Sequence, residues 1–201
     1  GEQMPLSPIL TCEVIDTNST TVALTGDRSV LVAYYSDAKA VMSAQAQGGA
    51  AMNLDTYIIR NGSETGFGTE HTFYNVSSNA FSFSAEDSEG RVGQEKVITP
   101  WVDYTKLTCN VIDNRPDASG NMTVACRGDY FNDSFGRISN SLSVRYRYRT
   151  SGGSWSSYVS MSFSTNGHTY RATEYLSGLD YQTSYDFEFL VADELMSVKA
   201  S

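Results

Sequence analysis

Few residues in this chain could do chemistry. Two histidines, His71 and His168, and three cysteines, Cys12, Cys109 and Cys126, are spread over 201 residues. Serine is abundant, but a nucleophilic triad needs a base held beside its nucleophile. No nucleophile-elbow, phosphate-loop or zinc-protease pattern surrounds any of the serines or histidines. The two histidines are expected at loop positions in different halves of the chain. The cysteine spacings fit no zinc pattern, and two histidines cannot complete a four-ligand site with them. An odd cysteine count also argues against a full disulfide framework. The expectation is a protein that is not an enzyme, with no catalytic, cofactor or metal residues.

The binding candidates are more varied. Arg145, Arg147 and Arg149 alternate along one segment and form a cationic stripe, with Trp155 close behind in sequence. Such a stripe could read an anionic wall polymer, and exposed aromatics at Trp155, Tyr158 and Tyr175 could stack on sugar rings. The competing reading is structural: the arginines pair across strands with Asp186 and Glu188, and Trp155 belongs to the core or its rim. Asp113, Asp117 and Asn121 could suggest calcium, but they do not follow the spacing of a helix–loop–helix calcium site. They read better as an Asx-rich turn. Arg127-Gly128-Asp129 matches an integrin-binding tripeptide, but Thr25-Gly26-Asp27 aligns with it in the repeat described below. Gly-Asp therefore reads as strand-end chemistry. Glycosylation sequons begin at Asn18, Asn61, Asn75, Asn121 and Asn132, as a chain rich in Ser, Thr and Asn produces by chance.

The formal net charge is −9. Phosphate backbones are bound by clustered Lys and Arg, so nucleic acid is not an expected partner, and neither is an anionic membrane. No apolar run approaches the ~20 residues that span a bilayer.

These residues must be positioned by something, and the sequence repeats itself. Leu10-Thr11-Cys12-Glu13-Val14-Ile15-Asp16 recurs as Leu107-Thr108-Cys109-Asn110-Val111-Ile112-Asp113. Thr21-Val22-Ala23-Leu24-Thr25-Gly26-Asp27 recurs as Thr123-Val124-Ala125-Cys126-Arg127-Gly128-Asp129. Shorter matches follow in order: Gly48-Gly49 with Gly152-Gly153, Asn61-Gly62 with Asn166-Gly167, and Ala85-Glu86-Asp87 with Val191-Ala192-Asp193. A slowly growing offset is the mark of a duplicated domain with small loop insertions. The expected division is one domain over 5–99, a partly apolar linker over 100–106, and a second domain over 107–201.

Period-2 alternation marks the strands. Leu142, Val144, Tyr146 and Tyr148 alternate with Ser143 and the three arginines. A turn over Ser151-Gly152-Gly153-Ser154 follows, and Trp155 and Tyr158 are expected to open a return strand. Tyr185, Phe187, Phe189 and Val191 form a second alternating run, matched by Phe81, Phe83 and Ala85 in the first copy. Ala38 to Ala51 is Ala-rich, but its place in the repeat predicts a strand. The fold class is all-β: two tandem immunoglobulin-like β-sandwiches.

Gly178-Leu179-Asp180-Tyr181-Gln182-Thr183-Ser184-Tyr185 resembles the end of a fibronectin type III domain. Leu179 and Tyr185 sit where that family places the leucine and tyrosine of its tyrosine corner. The first copy has Asn79 at the aligned position and is immunoglobulin-like in a more general sense. The whole chain resembles the minor structural proteins of siphoviruses of Gram-positive bacteria. The segments that carry this are Ala33-Tyr34-Tyr35-Ser36-Asp37-Ala38, Asp87-Ser88-Glu89-Gly90, Tyr130 to Gly136, Ser139 to Leu142, and Gly178 to Tyr185. The resemblance implies a tail component of a virion or prophage, with other tail subunits as partners, located in the virion or on an extracellular surface. The function expected is a non-catalytic structural spacer. The alternative is a module that binds a host cell-wall glycan or receptor, or a repeat of a bacterial surface adhesin.

Overall fold

A computed structural model describes residues 6–112 and 114–201. It is all-β, with two compact units. Unit 1 comprises Gly1–Tyr104 and Phe135–Arg137; unit 2 comprises Thr105–Ser134 and Ile138–Ser201.

Unit 1 runs β1 (Ile9–Asp16), α1 (Ser19–Thr25), β2 (Leu31–Val32), β3 (Ala38–Gln45), β4 (Ile58–Asn61), β5 (Glu64–Phe67), β6 (Glu70–Phe73), β7 (Ala80–Glu86), β8 (Val92–Ile98) and β9 (Trp101–Val102). Strands order as β1-β3-β6 in one sheet and β5-β4-β7-β8 in the other. Alternation decides which side chains go inward. Ala38, Ala40 and Met42 of β3, and Phe81, Phe83 and Ala85 of β7, are buried in one core. Lys39 and Ser43 of β3 face away from it.

Unit 2 runs β10 (Asn110–Ile112), β11 (Met122–Asp129), β12 (Ser143–Thr150), β13 (Val159–Ser160), β14 (Phe163–Asn166), β15 (Thr169–Leu176), β16 (Tyr185–Ala192) and β17 (Ser197–Ala200). Its sheets are β10-β11-β15-β14 and β13-β12-β16-β17. This is the order of unit 1 with one strand added, β14, at the edge beyond β15. Val124, Cys126, Val144, Tyr146, Phe189 and Val191 are among the residues that close its core.

The shared order corrects the register of the repeat. The first and last matches coincide with equivalent strands: β1 with β10, and the end of β7 with the end of β16. The second does not. Thr21 to Thr25 is helical, while Thr123 to Asp129 is strand β11, whose counterpart by sheet position is β3. Residues 38–45 do form the expected strand, but in the place of β11 and not of Arg145–Thr150. Asn61-Gly62 turns β4 into β5, whereas Asn166-Gly167 turns β14 into β15.

Local chemistry explains the helix. The Asn18 side chain accepts hydrogen bonds from Thr20 N and Thr21 N, and Gly26 closes the far end at φ 71° with its N–H donating to Val22 O. Asn at the N-cap and a left-handed glycine after the last turn are strong helix boundaries. Asp16, fully buried, fastens this segment: its carboxylate accepts from Thr21 Oγ1 (2.5 Å), Ser36 Oγ (2.7 Å) and Asn18 N (2.9 Å).

Residues 100–104 of the expected linker belong to unit 1. Trp101 and Val102 form β9, parallel to β2, with Leu31 opposite Trp101 and Val32 opposite Val102. Tyr104 is buried, with its ring edge against Tyr35.

Candidate functional site

The arginine stripe is built by one antiparallel register. β12 pairs with β16 so that Arg147 lies opposite Glu188 and Arg149 opposite Asp186. The neighbouring residues Val144, Tyr146 and Phe189 point into the core, so the charges fall together on the outer face. Arg147 Nη2 is 2.8 Å from Glu188 Oε1, and Arg149 Nε is 3.0 Å from Asp186 Oδ2. Ser151 Oγ donates to Asp186 Oδ1 at 3.1 Å.

The segment after the turn lies over these arginines. The guanidinium of Arg149 sits 4.3 Å from the centre of the Trp155 ring system, and that of Arg147 lies 4.7 Å from Trp155 and 4.8 Å from Tyr158. Arg145 is 5.5 Å from Tyr158. Such cation–ring contacts contribute about 0.5–2 kcal/mol each. The Tyr158 hydroxyl donates to the Glu188 oxygen that Arg147 also contacts. That bond, together with the Arg147 charge, holds Glu188 below the usual carboxylate range, and the same bond raises Tyr158 above the usual phenol value. Contrary to the sequence expectation, Trp155 and Tyr158 therefore do not open a return strand. Strand β13 contains only Val159 and Ser160, opposite Tyr146 and Arg145. All four sequence candidates, Arg145, Arg147, Arg149 and Trp155, come together, and Tyr158, Asp186 and Glu188 complete the ladder.

The other candidates are dispersed. His71 lies in strand β6, not in a loop, and its ring meets Phe73 edge-on at 4.6 Å. His168, in the β14–β15 turn, accepts from Asn132 N through Nδ1 (3.1 Å) and stacks on Phe131. Asp113 lies outside the described residues. Asp117 caps its own turn, accepting from Ser119 N and Asn121 N. Among the described residues no cluster of His, Cys, Asp and Glu could hold a metal ion. Arg127-Gly128-Asp129 lies inside β11. Gly128 is there for a packing reason: a Cβ on it would stand 2.0 Å from Thr108 O. Thr25-Gly26-Asp27, in contrast, is a helix end. Of the sequon asparagines, Asn61 is buried and donates to Ser78 O.

The cysteines are free. Cys126 is buried, whereas Cys12 and Cys109 are only half-buried. Cys109 and Cys126 face each other beside Tyr170 in the unit 2 core. Hydrogen bonding from Cys126 draws the Cys109 thiol down to about 7, while the same bond and burial push Cys126 up. Burial raises Tyr170, whose hydroxyl donates to Thr108 O (2.7 Å). Burial also raises Cys12, to about 11.

No family model matches the chain, and no curated protein matches it. Among solved structures the chain is similar to a chain of the crystal structure of Dpr2 Ig1-Ig2 in complex with DIP-Theta Ig1-Ig3. Identity is 11%, the TM-score 0.34, and the alignment covers 97% of this chain. The chain spans 63% of the length of that one. At that score the likeness says nothing of function.

Proposed function

We propose that this chain is a non-catalytic structural module, a tandem pair of immunoglobulin-like sandwiches that serves as a spacer in a siphovirus tail or tail-associated structure. The observation that carries the reading is the arginine ladder. Arg147 and Arg149, the side chains best placed to grip an anionic wall polymer, are neutralised by Glu188 and Asp186 and covered by Trp155 and Tyr158. The stripe works as reinforcement of a sheet. Each unit also closes a core of its own, which a load-bearing repeat requires. The virion setting and the tail-subunit partners rest on the sequence resemblance.

Two measurements test this. Stretching single molecules of the whole chain should give two discrete unfolding events, one per core; extension without force peaks would overturn the spacer reading. Replacing Arg147 and Arg149 by Ser should lower stability without changing any adhesion to bacterial walls. Saturable wall binding that disappears in that variant, with the fold intact, would replace spacer by receptor reader. Antibodies raised against the chain should label tails in electron micrographs of virions. Label on bacterial surfaces and none on virions would favour the adhesin.

A further inference from the structure

The other sheet of unit 2 carries a second set of arginines, and these are not neutralised. In the β10-β11-β15-β14 sheet, three pairings set four residues in one row across the strands. Asn110 lies opposite Arg127, Arg127 opposite Arg171, and Arg171 opposite Ser164. The residues on either side, Cys126, Tyr170 and Ala172, are buried, so the whole row faces solvent. Among the described residues no ion pair or hydrogen bond reaches the guanidinium of Arg127 or Arg171. Like charges directly opposite each other weaken a sheet. Here they line a groove of about 500 Å³, within a chain whose net charge is −9. The contrast with Arg147 and Arg149, each facing its own carboxylate, is sharp.

The same face continues along β15 as Arg171, Thr173 and Tyr175. Tyr175 is 79% exposed and lies opposite Thr123. Four residues of strand place its ring about 13 Å from the arginine row. Between them lies one row, Ile112, Ala125 and Thr173, each opposite the next. On the side away from Tyr175, Asp129 and Thr169 form the next outward row and line the same groove, and the Asp129 carboxylate accepts there from Thr108 Oγ1 (3.4 Å). An anion is repelled there and favoured toward Tyr175.

We propose that this face binds an acidic polysaccharide. Arg127 and Arg171 clasp one oxyanion, Asn110 and Ser164 bond flanking hydroxyls, and Tyr175 stacks on a sugar ring further along the same strand of polymer. Two guanidiniums offer the planar paired donors that suit carboxylate or phosphate oxygens, and an exposed ring offers an apolar face with a polar tip. The oxyanion is either a uronate carboxylate or a polyol phosphodiester. The site goes beyond the spacer reading and is independent of the ladder.

The test is an NMR titration of the whole chain with oligogalacturonate, oligomeric glycerol phosphate and a neutral maltooligosaccharide. The amides of Asn110, Arg127, Ser164 and Arg171 should move with one or both acidic probes and not with the neutral one. A response to galacturonate alone assigns a uronate, and a response to glycerol phosphate alone assigns a phosphodiester. Arg127→Ser with Arg171→Ser should weaken binding about tenfold or more, a loss of at least one decade in Kd. Added salt should weaken it too, since both groups are exposed. The thermal midpoint of this variant should stay level or rise, because a repulsive pair has gone. Tyr175→Ala should weaken binding of the oligomer with the midpoint unchanged. Silence of these amides with both acidic probes overturns the proposal. So does an equal response to the neutral sugar, or binding that survives loss of Arg127 and Arg171 but not of Arg147 and Arg149.

Discussion

Arg147 and Glu188 face each other across β12 and β16 with 2.8 Å between Nη2 and Oε1, and Tyr158 donates to the same carboxylate oxygen. The pair is about a quarter exposed on the arginine side and a fifth on the glutamate side. Its coupling in a double-mutant cycle of Arg147→Ala and Glu188→Ala should therefore be modest, about 0.5–1 kcal/mol. The pH dependence has a definite sign. The Glu188 carboxyl titrates below its ordinary value of 4.5 in the folded chain. Its contribution is present in full above that value and is lost as pH falls through the depressed one. Urea midpoints measured across the acid range should show wild type losing more stability than Glu188→Gln. Parallel curves would show that the ladder is ornamental.

Tyr185 makes the tyrosine corner that its sequence resemblance implied. Its hydroxyl accepts from Asp180 N at 3.0 Å, five residues upstream, and its ring lies half-buried beside Tyr148. Tyr185→Phe removes the acceptor and leaves the ring, so it should lower stability by about 1 kcal/mol. An unchanged denaturation midpoint would mean that water replaces the bond at no loss.

The thiols should react in a fixed order. Cys109 is half-buried and drawn down to about 7, Cys12 is half-buried and pushed up to about 11, and Cys126 is buried and pushed up. Only the thiolate attacks an alkylating reagent. At pH 8 under native conditions, peptide mass mapping should find iodoacetamide on Cys109 first, and on Cys126 only after unfolding. Equal labelling of Cys12 and Cys109 would contradict the pairing of Cys109 with Cys126. For stability, a depressed Cys109 contributes above its unfolded value near 9 and loses that contribution as pH falls toward 7. A raised Cys12 contributes below 9 and loses it as pH climbs toward 11.

Gly128 carries the sharpest steric prediction. Gly128→Ala would force a methyl group toward the Thr108 carbonyl and part β10 from β11. A loss of about 1–3 kcal/mol is expected, the usual range for overpacking. Asp129→Asn, which keeps the shape, should change stability far less. A tolerated alanine at 128 would leave the glycine without a structural reason.

Strands with strong local alternation were legible in the sequence. The runs at Phe81–Ala85 and Tyr185–Val191, and the arginine stripe, follow period 2 so closely that the inner and outer faces can be read off directly. The repeated carboxylates Asp87 and Asp193 were also legible as a match, and the structure supplies their reason. Asp87 accepts from Glu89 N and Arg91 N, and Asp193 from Leu195 N and Met196 N.

Helix α1 was misread because Thr21-Val22-Ala23 and Thr123-Val124-Ala125 are the same three residues with the same β-branched content. What separates them is the flanks. Asn18 and Gly26 cap a short helix of about two turns, while Met122 continues straight into a buried strand. The place of Trp101 and Val102 was hidden for another reason: their partner strand lies at Leu31–Val32, far away in sequence, and no local pattern announces a parallel partner. The Trp155 segment reads as strand by composition, but its rings find better contacts on the arginine side chains than in a ladder. The row of Asn110, Arg127, Arg171 and Ser164 went unseen because four strands contribute one residue each, and only pairing registers bring them together.

The turn carboxylates also set a folding order. In both units, β7–β8 and β16–β17 are joined by a turn whose own aspartate ties down the turn's backbone N–H groups within a few residues. Such a hairpin closes a short loop and forms on a microsecond scale. By contrast β1 reaches β3 only across α1, β2 and the connecting loops, so that pairing carries the larger entropy of loop closure. Chain collapse should therefore begin at these two hairpins, once in each unit, and in unit 1 end with β1. Asp87→Asn and Asp193→Asn should slow refolding nearly in proportion to the stability they remove, whereas Val14→Ala in β1 should act mainly by speeding unfolding. A nucleus that recurs in each half lets one unit reach its transition state without waiting for the other.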